Sequence, residues 1–185
     1  MKRTAVFALM IALSLLSGCG QKAEEKAFMD FQSAVSGAAG IEFTADVRAE
    51  YDDKTEEYTL KLSKDANGVS VEVVKPDIIA GIKAHIDADS STLEYDGASL
   101  DTGKLADNGL TPISALPELV SALSSGHLDI AWSEGDATVA QITPKDDLTV
   151  TVWFDENMLP FHAELQSGGK VLAYCDIMTA DWSVK

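Results

Sequence analysis

Residues 41–51 read IEFTADVRAEY. Ile41, Phe43, Ala45, Val47, Ala49 and Tyr51 fall on one side of an extended chain, and Glu42, Thr44, Asp46, Arg48 and Glu50 on the other. Strict alternation over this length is the period-2 signature of a strand with one face buried and one in water, which is typical of antiparallel sheets.

The same pattern recurs downstream. A polar turn, DDKTE, leads to EYTLKLS, with Tyr58, Leu60 and Leu62 on one face. Asn67-Gly68 marks a hairpin into VSVEVVK, since both residues tolerate positive φ. After Pro76, IIAGIKAHID alternates Ile78, Ala80, Ile82, Ala84 and Ile86, and this predicts a further strand. STLEYDG and ASLDTG flank Asp96-Gly97, another hairpin signal. Beyond residue 126 come HLDIAWSEG, ATVAQIT, DLTVTVWFD, PFHAELQ and GKVLAYCDIM, with turns at Asp155-Glu156-Asn157 and Gly168-Gly169. The tail ADWSVK reads as irregular or as a closing edge strand.

Two segments carry helical spacing instead. In QKAEEKAFMDFQSAVSGAAG, Phe28, Phe31 and Val35 form a stripe widened by Ala27, Ala34 and Ala38, and Gly37 and Gly40 end it. In LTPISALPELVSALSSG, Leu116, Leu119, Val120 and Leu123 share one face. Thr111 or Ser114 can cap that helix, its prolines suit a first turn, and Gly126 can terminate it. The expectation is a mainly β (α+β) domain of about ten strands, a single curved antiparallel sheet forming an unclosed half-barrel. No helical crossovers recur between strands, which argues against a parallel sheet, and the two helices are left to plug the concave face.

The first twenty residues, MKRTAVFALMIALSLLSGCG, address compartment. Lys2 and Arg3 precede an apolar run, Ala5 to Leu16, that is too short to span a bilayer but matches a secretory h-region. Leu16-Ser17-Gly18-Cys19 resembles a bacterial lipobox. That resemblance implies cleavage of a signal peptide over residues 1–18, a diacylglyceryl group on the Cys19 sulfur, and N-acylation (palmitate or similar) of the new terminus. Residues 19–25 would then be a short lipidated tether and 26–185 the folded domain, held at the extracytoplasmic face of the cell membrane. Two or more acyl chains anchor stably where one is marginal.

Loss of residues 1–18 would remove two basic residues and no acidic one, leaving 12 basic and 30 acidic residues and a net charge of −18. Such a surface argues against nucleic acid, whose phosphates require clustered Lys and Arg. Acylated Cys19 would leave Cys175 without a partner, and its strand-like setting VLAYCDIM predicts a buried, inert thiol.

Residues for catalysis or metal binding do not form a pattern. His85, His127 and His162 share no ligand spacing, and Asp87-Ala88-Asp89-Ser90-Ser91 lacks the glycine and terminal glutamate of a calcium loop. There is no G-x-S-x-G, P-loop or G-x-G-x-x-G. The reading is therefore of a protein that is not an enzyme and has no cofactor or metal beyond the lipid on Cys19.

VVKPDIIAGIKA, LEYDGASLDTG, LTPISALPELVSAL and TVWFDENMLPFHAEL with its SGGK turn, in this order, resemble the outer-membrane lipoprotein carrier (LolA/LolB-like) superfamily, in particular LolA-like lipoproteins of Gram-positive bacteria. The resemblance covers most of residues 25–180. It implies a half-barrel around an apolar cavity lidded by helices, holding a hydrophobic small molecule or a lipid. Leu116, Leu119, Val120 and Leu123 are then candidate lid residues. Trp132, Trp153 and Phe161 are candidates for the cavity lining, with plain core as their other reading. The second expectation is a sensor of the same fold, with a filled core and a membrane protein as partner. The carriers hold their lid with a buried arginine, whereas Arg48 here is in phase with the polar side of its strand.

Overall fold

The computed structural model describes residues 20–51, 54–87, 90–103 and 110–183. Helix α1 (Gly20–Ser36) is followed by strands β1 (Gly40–Tyr51), β2 (Lys54–Asp65) and β3 (Gly68–Lys75). Next come a 3₁₀ turn (Asp77–Ile79) and the short strands β4 (Lys83–Ile86), β5 (Ser91–Tyr95) and β6 (Ala98–Gly103). Helix α2 (Pro112–Ser125) precedes β7 (His127–Glu134), β8 (Ala137–Lys145), β9 (Leu148–Phe154), β10 (Pro160–Ser167) and β11 (Lys170–Ser183). The described strands form one eleven-stranded sheet in the order β6-β5-β4-β3-β2-β1-β11-β10-β9-β8-β7, antiparallel at every step. This is the expected unclosed half-barrel with two helices.

The alternation of residues 41–51 is realised directly. Ile41, Phe43, Ala45, Val47 and Ala49 are buried, while Glu42, Asp46 and Arg48 are exposed. Rows of paired residues carry the apolar face across the sheet, as in Val73, Leu60 and Ala45 on β3, β2 and β1. Leu148, Val150, Val152 and Phe154 alternate in the same way on β9.

Three local expectations are corrected. The tail is neither irregular nor an edge: β11 runs through Trp182 and pairs with β1 at the middle of the sheet, Ile41 opposite Trp182. The stretch 76–82 is not strand, because Pro76 offers no ladder donor and the chain folds into the 3₁₀ turn, leaving Ile78 86% exposed. β2 already begins at Lys54, so the last three residues of DDKTE, Lys54 to Glu56, are strand and not turn. Asp96 and Gly97 do take positive φ, 50° and 79°, as their hairpin requires.

α2 is capped reciprocally. The Ser114 backbone N–H donates to Thr111 Oγ1 at 3.2 Å, and the Thr111 N–H donates to Ser114 Oγ at 2.8 Å. Pro112 sits in the first turn as expected, but Pro117 lies inside the helix. At the other end Gly126 approaches β8 so closely that a Cβ there would meet Ile142 Cγ2 at 2.4 Å.

α1 binds this assembly together. Gln32 Nε2 donates to the Gly126 carbonyl at 2.9 Å, and Ser36 Oγ donates to the Ser124 carbonyl, so α1 satisfies acceptors at the end of α2. Near its start, the hydroxyl of Ser133 on β7 donates to Glu24. That bond, assisted by the glutamate's own backbone, holds the Glu24 carboxyl below the usual range.

Candidate ligand groove

The aromatic residues of α1 shape the groove. Phe31 meets Phe154 edge-on at 5.0 Å between ring centroids and Trp182 at 5.8 Å. Phe28, fully buried beneath, meets Phe154 at 6.0 Å. The opposite wall is the β9–β10 turn, fixed by Asp155. Its Oδ1 accepts from the backbone N–H groups of Asn157 (2.8 Å) and Leu159 (2.9 Å), while its own N–H donates to the Leu159 carbonyl at 3.0 Å. This closed turn, with Met158 at φ 58°, presents Met158 and Leu159 toward α1.

Between these walls lies an open groove of about 490 Å³. It is lined by Ala27, Phe31, Ala34, Met158, Leu159 and Trp182, with Asp30 and Asn157 as its polar members. The size falls within the range of about 300–1,000 Å³ usual for small-molecule sites. Trp182 adds an unusual element: its indole Nε1 is shut off from solvent and has no hydrogen-bond partner. Lys26 pairs with Asp30 one turn along α1 at 2.5 Å, so the charged side chain of the lining is matched by a cation.

The residues singled out from the sequence separate into two sets. Leu116, Leu119 and Leu123 are fully buried and Val120 is 2% exposed, all in one apolar cluster with Leu60, Val73, Ile142 and Leu165 of the sheet. α2 is thus seated in the concave face, with its apolar side packed against the sheet. Trp132, Trp153 and Phe161 sit on the convex side, away from both helices. Trp132 and Trp153 each pair with Val139, which is buried between them, whereas their neighbours Ala131 and Val152 point inward. Trp153 meets His162 edge-on at 5.1 Å and donates through Nε1 to Glu134 at 3.2 Å. His162 Nδ1 lies 2.6 Å from Asp176 Oδ1. Phe161 is 45% exposed beside the acidic residues Glu134, Asp136 and Glu156.

Arg48 also belongs to the convex side, its guanidinium 4.2 Å above the Tyr174 ring. Cys19 lies outside the described residues and directly precedes α1 in sequence. Cys175 is fully buried, and burial, with the nearby Asp176 charge, pushes its thiol up to about 12. Among the described residues no three His, Cys, Asp or Glu side chains converge as metal ligands, and no helix is long and apolar enough to cross a membrane.

Sequence reasoning misses the groove residues Trp182, Met158 and Leu159. Trp182 falls in the tail that reads as irregular, and Met158 and Leu159 fall in a turn that carries no periodic signal. Phe31 is visible only as a member of the α1 stripe.

The class defined by this architecture is the open antiparallel half-barrel with helices in its concave face, as the LolA/LolB-like resemblance implies. No protein-family model matches the chain, and no curated protein is similar to it in sequence. Solved structures are similar in fold. An uncharacterised conserved protein from Thermus thermophilus aligns at TM-score 0.50 with 11% identity, over 87% of this chain and 88% of that one. A LolA superfamily protein from Nitrosomonas europaea aligns at TM-score 0.46 and 11% identity, covering 89% and 94%. The lipoprotein LppX of Mycobacterium tuberculosis aligns at TM-score 0.42 and 12% identity, covering 88% and 96%.

Proposed function

We propose that this chain is a lipid-anchored, non-enzymatic LolA-like lipoprotein of the extracytoplasmic membrane face, and that it binds an apolar ligand in the groove between α1 and the β9–β10 turn. The observation that carries the binding reading is the groove itself: an apolar, aromatic-walled space of about 490 Å³ beside the apolar core. The anchoring reading rests on the lipobox at Leu16–Cys19 and on the position of Cys19 directly before α1. A domain joined this closely to its anchor works at the membrane surface, where acyl ligands are at hand.

Two measurements test the reading. The intact mass of membrane-extracted protein should equal residues 19–185 plus the lipid, and Cys19→Ser should move the protein to the soluble fraction. The soluble Cys19→Ser chain should bind a fluorescent acyl probe saturably; a chain that binds none removes the ligand reading. The packed seat of α2 favours the alternative of a sensor with a protein partner. Cross-linking on intact cells that traps one membrane protein, in a chain that binds no probe, would support that alternative.

A further inference from the structure

Resting on the groove reading above, we infer that the groove's occupant is one of the acyl chains carried by this protein's own Cys19, folded back along α1 against the β9–β10 turn. Spacing along α1 points to this occupant. The helix begins at Gly20, so Cys19 stands one residue before it. Ala27, Phe31 and Ala34 line the groove, seven, eleven and fourteen residues beyond Gly20, positions that share one helix face. At about 1.5 Å per residue, the helix start is about 10 Å from Ala27 and about 17 Å from Phe31. A fatty chain reaches about 15 Å, half the hydrocarbon thickness of a bilayer. A chain leaving Cys19 along this face therefore passes Ala27 and ends beside Phe31, Met158 and Leu159.

The path suits hydrocarbon. Ala23 and Ala27 stand on it ahead of Phe31, both small and uncharged. Glu24 beside them is held by Ser133 of β7 and Asp30 by Lys26, so both carboxylates already have partners. Tethering then decides between this chain and a free lipid. A short linker holds its ligand at an effective concentration of order millimolar, which a dilute free lipid does not match. Leaving the membrane costs the chain little, because bilayer and groove are both apolar and no hydrophobic gain separates them. The consequence is a graded anchor. Each chain withdrawn into the groove weakens the hold on the membrane, since anchoring depends on how many chains are inserted.

The test compares the lipidated mature chain with the mature chain carrying Cys19→Ser, both mixed with phosphatidylcholine vesicles. A nitrobenzoxadiazole-labelled fatty acid should bind Cys19→Ser, and should bind the lipidated chain about tenfold or more weakly because the tethered acyl chain already fills the groove. In the lipidated chain, p-benzoylphenylalanine replacing Leu159 should photo-cross-link to the lipid on Cys19, joining the groove peptide to the N-terminal lipopeptide. The same reagent replacing Leu100, exposed on β6 at the far edge of the sheet, should give no such adduct. A mixture of light and heavy-isotope chains should give adducts that are uniformly light or uniformly heavy. Equal probe affinity for the two chains, no lipopeptide adduct at Leu159, or an equal adduct at Leu100 overturns self-occupancy, while probe binding by Cys19→Ser keeps the groove reading. Adducts that mix light and heavy peptides assign the lipid to a neighbouring copy and overturn the inference too. An intact mass without lipid on Cys19 overturns the anchor and this inference together. If Cys19→Ser binds no probe and Leu159 gives no adduct, the groove reading falls as well.

Discussion

Gln32 of α1 donates through Nε2 to the carbonyl oxygen of Gly126, 2.9 Å away at the end of α2. The two helices come from distant parts of the sequence, and this bond ties them at the point where α2 leaves the concave face. Gln32→Ala should destabilise the domain by about 1 kcal/mol, the value of one part-buried hydrogen bond with its acceptor left behind. Gly126→Ala should cost about 1–3 kcal/mol by overpacking against Ile142. Its backbone, at φ −66°, would accept alanine, so the loss would be purely steric. Denaturant midpoints of the two variants check both values.

The centre of α2 is the next place to probe. Leu119 is fully buried against the sheet, so Leu119→Ala should cost about 2–5 kcal/mol through lost burial and a residual cavity. Thermal unfolding would show this as a lower midpoint. If α2 were instead a loosely held lid, the midpoint would barely change and the variant would gain probe binding.

Cys175 gives a pH signature. Its folded thiol titrates near 12 instead of 9.0, so the folded state keeps its proton while the unfolded chain has already lost it. The stabilisation is fully present below pH 9 and is lost as the pH rises from 9 toward 12. The total is on the order of 4 kcal/mol. Cys175→Ala should flatten that alkaline decline in a urea series. Native Cys175 should also resist iodoacetamide at about pH 8 and react once the protein is unfolded.

Ala34 offers a way to close the groove without disturbing the core. It is exposed on α1 yet lines the groove. Ala34→Phe should leave stability within about 0.5 kcal/mol and weaken acyl-probe binding by about tenfold or more, read by fluorescence titration. Unchanged binding would move the ligand elsewhere.

The fold is legible where one physical period rules. Residues 41–51 alternate because one face is core and the other is water, and the α2 stripe repeats because a helix buries one side. The misreadings arise where a pattern fits two structures. Ile78, Ala80 and Ile82 alternate like a strand, but Pro76 interrupts the ladder and the turn leaves Ile78 in solvent. Trp153 looks like a cavity residue by type, although the inward phase of Val150, Val152 and Phe154 already assigns it to the other face. The groove is hidden for a different reason. Its walls are brought together by tertiary packing of α1 on the β9–β10 turn and β11, which no local spacing encodes.

The pairing of β1 with β11 has a kinetic consequence. Strands β2–β6 and β7–β10 form two meanders of neighbouring hairpins, which can zip locally. They become one sheet only when Ile41 finds Trp182 and Val47 finds Cys175, contacts between nearly opposite ends of the described chain. Such distant contacts are entropically slow to form. A chain threading outward through a membrane would therefore stay open along its central seam until its final strand emerged.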